Sequence, residues 1–228
     1  MIASKKEFFG GFAMLAAFAG VFAIMLMPIF EGKNLLDYMD TLYNSISKGS
    51  AYFIPKLQEK VKEHEGKDVS LKLVLEEEDY AKGMTTILTK RGVEAKLDGV
   101  NVAVKGDLGR ILGFAITDSD DMFANNGDKL KSAYGIEGKQ SLFYWWKGLK
   151  AMDKDLKRQE KFAESKYVGA VIKKGVECSY NYFGVAPENI MDKILVVIFS
   201  LVFYVVYTLW YGFAIMFMFE GWGLRLAH

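Results

Sequence analysis

The sequence predicts a membrane protein of the α+β class, with two transmembrane helices flanking an extracytoplasmic domain that has helical stalks and a small β-α-β-β-α head. Two runs without charge, residues 8–30 and residues 194–219, supply the predicted spans. Nearly all charged side chains lie between these runs, which makes the middle of the chain polar. Within that middle, apolar residues recur at every second position in some segments and at every third and fourth position in others, which indicates both strands and helices.

Both uncharged runs are long enough to cross a bilayer. A helix rises 1.5 Å per residue, so roughly 20 apolar residues cross a hydrocarbon core of about 30 Å, and the runs contain 23 and 26 residues. Pro28 lies where it can end or kink the first helix. A cleaved signal peptide is the alternative for the first run, because Lys5 and Lys6 precede it and residues 17–19 imitate a small-x-small cleavage site. The apolar residues that continue after Ala19 favour a membrane anchor.

The charges beside the spans predict the topology. Two spans place both termini, residues 1–7 and 220–228, on one side of the membrane. Lys5, Lys6 and Arg225 lie beside the spans on that side, and cytoplasmic flanks are enriched in such residues. We therefore expect a protein of the cytoplasmic (inner) membrane with cytoplasmic termini and with residues 31–193 in the periplasm or outside the cell.

Composition excludes one class of partner and limits covalent chemistry. The chain has 29 Lys plus Arg and 28 Asp plus Glu, whereas a nucleic-acid-binding protein carries a basic excess to neutralise phosphates. Cys178 is the single cysteine, so the chain has no intramolecular disulfide and no pair of cysteines for a zinc site. Neither span contains a histidine that could ligate haem, and we predict no cofactor.

Each span carries residues suited to packing against another helix. Ala13, Ala16, Ala17 and Gly20 share one face of the first span, and small side chains allow two backbones to approach closely. In the second span Tyr204 and Tyr207 lie deep, where each hydroxyl needs a partner within protein. These six residues are predicted helix-packing positions. Two alternatives stay open: small residues are common in membrane helices generally, and the tyrosines could line a quinone or lipid pocket.

The first part of the middle segment predicts two helices and then a β-α-β-β-α unit. Helical spacing covers residues 34–47, with an interruption at Gly49 and Ser50, and residues 55–64. Alternation over residues 70–75 predicts a strand, and residues 77–91 return to helical spacing. Residues 93–104 predict a hairpin with a turn at Asp98-Gly99. A right-handed crossover makes the first two strands parallel.

Helical spacing also dominates the later part of this segment. Five apolar residues after the hairpin share one helical face: Leu108, Ile111, Leu112, Ala115 and Ile116. Residues 141–182 again have helical periodicity, although Gly148, Gly169 and Gly175 argue against a single unbroken rod. We therefore expect helical stalks that connect both spans to the α/β head.

The densest group of oxygen ligands includes Asp118, Asp120 and Asp121, which are weak candidates for a hard-cation site. The spacing does not match an EF-hand loop, because Met122 and Phe123 occupy positions that need a ligand and a glycine. The alternative is a solvated turn and helix cap.

Four consecutive aromatic residues, Phe143, Tyr144, Trp145 and Trp146, cannot all point inward from one helix. We expect two of them to pack in the core and the others to contact a membrane surface, a sugar or another subunit. His64 and His228 are interpreted as surface groups without a catalytic partner.

These features favour a non-catalytic accessory or structural subunit of a larger membrane protein complex. The predicted partners are membrane lipid and other integral membrane subunits, in a homo- or hetero-oligomer, and not nucleic acid. The first alternative is an extracytoplasmic ligand-binding sensor that signals through a partner. The second is a membrane-anchored enzyme with an acidic metal site around Asp118.

Overall fold

The computed structural model describes residues 2–224, which form two compact units. The spanning unit, which we name after its two predicted membrane spans, comprises residues 2–49 and 187–224, and the α/β unit comprises residues 50–186. Within these residues the helices are α1 Lys5–Met25, α2 Leu35–Ser50, α3 Ile54–Val61, α4 Glu78–Lys90, α5 Leu108–Phe123, α6 Gly127–Tyr134, α7 Gly138–Arg158, α8 Phe162–Val171, α9 Glu177–Tyr182 and α10 Ile190–Gly221. The strands are β1 Asp68–Val74, β2 Glu94–Asp98 and β3 Asn101–Asp107.

In the spanning unit, α1 and α10 are long and apolar enough to cross a membrane, with mean hydropathies of 2.1 and 2.3. The first helix is shorter than the predicted span over residues 8–30, because it ends at Met25 and Leu26 caps it. Glu31 and Gly32 then adopt positive φ angles of 53° and 79° in a tight turn closed by paired backbone hydrogen bonds between Phe30 and Lys33. The chain therefore leaves the first helix before Pro28 and reverses direction ahead of α2.

The amphipathic helix α2 contacts α10 and the segment just before α10 at a few points. Tyr43 Oη and Ser200 Oγ lie 2.6 Å apart, and the Glu188 N–H donates to the Ser45 carbonyl over 3.1 Å. A β-carbon on Gly49 would lie 2.6 Å from the Glu188 carbonyl oxygen, so glycine permits this approach. The interruption predicted at Gly49 and Ser50 lies slightly later, since α2 ends at Ser50 and α3 begins at Ile54.

The α/β unit is built on a three-stranded antiparallel sheet of order β1-β3-β2. Both outer strands run antiparallel to β3, so β1 and β2 point in the same direction. Leu71 pairs with Val104 and Leu73 with Val102, and these four side chains are buried. The helices α4, α5 and α7 pack on that face and enclose the core.

The hairpin turn lies one residue later than predicted. Asp98 pairs with Asn101, so the two turn residues are Gly99 and Val100 rather than Asp98 and Gly99. Gly99 has a φ angle of +58°, whereas Val100 does not have a positive φ. Type II′ hairpin turns prefer glycine at the first central position for this reason.

The segment over residues 141–182 divides into several helices. Glu160 has a φ angle of +58° and separates α7 from α8, while a π-helical stretch, Ile172–Val176, joins α8 to α9. The main break, between α7 and α8, is therefore not at any of the three glycines that were expected to interrupt the helix. Only Gly175 lies within the irregular stretch, and its missing side chain leaves room for Leu57.

Candidate functional site

The seam between α1 and α10 depends on two glycines that the sequence reasoning missed. A β-carbon on Gly11 would lie 2.7 Å from the Ala214 carbonyl oxygen, and one on Gly221 would overlap the backbone of Phe8. Polar atoms of α10 are satisfied across this seam, because Trp210 Nε1 donates to the Met14 carbonyl over 3.1 Å. The spacing of Gly11, Met14 and Phe18 along α1 is the sequence signal that could have indicated this face.

The small residues Ala13, Ala16, Ala17 and Gly20 lie on the opposite side of α1 and are exposed. A β-carbon on Gly20 would meet no atom within 4 Å. The contact with α10 therefore does not use this face. We call these four residues the small-residue face.

The two tyrosines of the second span have different surroundings. Tyr207 stacks on Phe18 with ring centroids 4.2 Å apart, and its hydroxyl donates to the Phe18 carbonyl over 3.4 Å. Tyr204 is 68% exposed. Both line an apolar cleft of about 370 Å³ between the end of α1, the start of α2 and α10, with Met25, Leu35 and Phe203 among its other walls.

The α/β unit contains a buried charged network centred on Asp118. Its carboxylate accepts hydrogen bonds from Arg91, from the Tyr134 hydroxyl at 2.5 Å and from Trp145 Nε1 at 2.7 Å. Burial raises the pKa of Asp118, and the three hydrogen-bond donors oppose that rise. Burial and the adjacent carboxylate also raise the pKa of the Tyr134 hydroxyl. Asp118 thus joins α5 to three other helices.

The three carboxylates considered as metal ligands do not converge. Asp118 is fully buried in its network, Asp120 accepts a hydrogen bond from Tyr52 at 2.8 Å, and Asp121 pairs with Lys129 at 2.5 Å. Among residues 2–224, no group of three or more His, Cys, Asp and Glu side chains is placed to hold a metal ion.

The four consecutive aromatic residues divide between the core and the surface. Tyr144 and Trp145 are buried, as the helical spacing predicts for two of the four. Phe143 and Trp146 are half-buried and stack on each other with centroids 6.0 Å apart. These two rings form part of an open groove between α7 and the π-helical stretch with α9.

We call this feature the aromatic–lysine groove. Its first part is a cleft of about 350 Å³ lined by Leu142, Phe143, Trp146, Val176, Glu177, Tyr180 and Asn181. Its second part is a cleft of about 530 Å³ that shares Glu177 and continues along α8. Trp146 Nε1 donates to Glu177 Oε1 at 2.7 Å, which fixes the indole ring at the junction. Since π-helical insertions change the register of the following helix, this stretch sets the direction in which Glu177 and Tyr180 face.

Lysine side chains surround the aromatic floor. Lys150 Nζ lies 3.8 Å from the Trp146 ring centroid, Lys147 Nζ lies 5.3 Å from the same centroid, and Lys139 Nζ lies 5.2 Å from that of Tyr180. These are cation–π distances. The sequence reasoning missed these lysines, although Lys139, Lys147 and Lys150 flank the four consecutive aromatic residues 143–146 in the sequence.

The interpretation of His64 as a surface group is wrong. His64 is 7% exposed and stacks on Tyr167 with ring centroids 4.4 Å apart. Burial lowers the pKa of His64, and the positive charge of Lys67 lowers it further, against the opposing effect of Glu164 and Glu63. His228 and Arg225 lie outside the described residues.

Comparison with known proteins identifies no family for this chain. No protein-family model matches it, and no curated protein sequence or solved structure matches it at a significant level.

Proposed function

We propose that this chain is a non-catalytic accessory subunit of a larger membrane protein complex. In this proposal α1 and α10 cross the cytoplasmic membrane with both termini in the cytoplasm, and the α/β unit is presented in the periplasm or outside the cell. The positive charges of Lys5 and Lys6 at the start of α1 support this orientation.

The exposed small-residue face of α1 is the observation that carries the proposal. Gly11 and Gly221 already allow α1 and α10 to pack closely, so the small-residue face is not needed to hold these two helices together. In a bilayer, helices associate through close packing, and small residues allow the closest backbone approach. The face is therefore suited to a helix of another integral membrane subunit or of a second copy of the chain.

The test compares two variants of α1 that differ only in the face they change. Ala13→Leu enlarges the small-residue face, and Ala19→Leu makes the same chemical change at an exposed position away from that face. After cross-linking in membranes and purification in mild detergent, the native chain and Ala19→Leu are expected to retain a cross-linked partner, while Ala13→Leu loses it. A stable native monomer without a co-purifying protein, or equal behaviour of the two variants, would contradict the proposal.

A further inference from the structure

We propose that the aromatic–lysine groove of the α/β unit binds an acidic peptide segment with one bulky apolar side chain, supplied by a partner protein. This inference rests on the proposed accessory function and specifies the chemistry of one partner contact.

The floor of the groove is apolar. Leu142 and Val176 belong to the core, while Phe143, Trp146 and Tyr180 extend that apolar surface to the outside. Tyr180 is 37% exposed, so part of its ring is open to a ligand. A cleft of about 350 Å³ accommodates one large apolar side chain of a ligand. Aromatic residues of this kind are typical anchors of protein interfaces.

The surroundings of that floor are positively charged. Four lysines, Lys139, Lys150, Lys166 and Lys173, are exposed along the groove. Within residues 2–224 none of the four has a carboxylate within 4.0 Å. Of the two carboxylates of the groove, Asp153 pairs with Lys157 and accepts from Ser165, while Glu177 accepts from Trp146 Nε1 and keeps its negative charge. The four lysines therefore leave the groove with an excess of positive charge.

The groove is elongated. Its two clefts share Glu177 and continue from the aromatic floor to the lysines Lys150, Lys166 and Lys173. A ligand that fills both needs an apolar group at one end and several negative charges along its length. A linear acidic peptide satisfies both requirements, and charge complementarity of this kind guides association and fixes the register of the partner.

The experiment uses the full chain in an uncharged maltoside detergent and a fluorescently labelled, glutamate-rich peptide with one phenylalanine near one end. Binding is measured by fluorescence anisotropy. The double variant Lys150→Glu/Lys173→Glu is expected to weaken binding by about tenfold, because each reversal replaces an attraction by a repulsion at an exposed site. The matched control, Lys90→Glu/Lys96→Glu, makes the same change in net charge at exposed positions outside the groove and is expected to bind like the native chain.

A second peptide, with serine in place of the phenylalanine, tests the apolar floor. It is expected to bind at least about tenfold more weakly, because burying an aromatic side chain raises the affinity by more than that factor. Equal binding of the two peptides, or equal weakening by the groove and control variants, overturns the proposal. Displacement of the peptide by dextran sulfate at the same charge concentration also overturns it, in favour of a general polyanion surface.

The outcome is separable from that of the accessory function. A partner that cross-links to α1 when the peptide does not bind would overturn the groove alone. Peptide binding by a chain that has no cross-linked partner in the membrane would overturn the small-residue face alone.

Discussion

Gly11 and Gly10 are adjacent glycines, but only the replacement of Gly11 by a larger residue is expected to weaken the packing of α1 against α10. A β-carbon on Gly11 would lie 2.7 Å from the Ala214 carbonyl oxygen and 2.9 Å from Met218 Cγ, whereas one on Gly10 would meet no atom within 4 Å. Carbon atoms in contact are normally about 3.5–4.0 Å apart. Gly11→Leu must therefore push α1 and α10 apart by about 1 Å or more.

The energetic consequence follows from the loss of close packing along the seam. Inserting a side chain into a well-packed contact costs roughly 1–3 kcal/mol. Replacing glycine by leucine also stabilises a helix intrinsically, but that gain is common to both positions and cancels in the comparison. A difference of about 2 kcal/mol raises the population of separated helices by roughly thirtyfold.

The assay measures how often the seam opens. Ala214 is fully buried against α1, so a thiol introduced by Ala214→Cys in a Cys178→Ser background reacts with a maleimide only when the helices separate. We expect Gly11→Leu to accelerate labelling by tenfold or more, as about 1.4 kcal/mol corresponds to that factor, and Gly10→Leu to leave the rate nearly unchanged. Equal labelling rates for the two variants would refute the reasoning about the seam.

Three further predictions concern the stability of the α/β unit, each measured by denaturant unfolding of the full chain. Asp118→Asn removes the charge that neutralises a partly buried arginine and is expected to lower the free energy of unfolding by about 3 kcal/mol. The control Asp121→Asn changes an ion pair at the surface and is expected to lower it by less than about 1 kcal/mol. Equal losses of stability would contradict the role given to the buried network. Burial lowers the pKa of His64 in the folded chain, so as the pH falls below about 6.5 the unfolded chain binds a proton first. The free energy of unfolding is therefore expected to decrease below this pH, and His64→Phe is expected to remove that decrease. Gly83→Ala places a β-carbon against a buried tyrosine ring and is expected to destabilise the unit by about 1–3 kcal/mol. The β-carbon of Gly113→Ala meets no atom within 4 Å, and this variant is expected to stabilise the unit by roughly 0.5–1 kcal/mol. A Gly83→Ala variant more stable than Gly113→Ala would argue against the packing of α4 on α7.

Local periodicity was sufficient to predict the elements whose apolar faces are repeated along the chain. All five residues chosen for the apolar face of α5, from Leu108 to Ile116, are fully buried. The two uncharged runs correspond to α1 and α10, which are long and apolar enough to cross a membrane. These predictions succeed because the burial of a helix face is encoded by neighbouring residues.

Local periodicity could not predict contacts between residues that are far apart in the sequence. Asp118 belongs to an acidic sequence that resembles a solvated turn, and its partners, the half-buried Arg91 and the buried Tyr134 and Trp145, lie outside α5. The choice of Gly11 over Gly10 for the seam likewise depends on where α10 lies. No local periodicity specifies those partners, because tertiary packing decides between faces of similar composition.

The most direct test of the whole account is the labelling of single cysteines by a membrane-impermeant maleimide in intact spheroplasts that carry Cys178→Ser. We expect Lys96→Cys, at an exposed position of the α/β unit, to label before lysis, and Lys6→Cys, at the start of α1, to label only after lysis. Labelling of Lys6→Cys before lysis, with protection of Lys96→Cys until lysis, would contradict the proposed presentation of the α/β unit outside the cytoplasm.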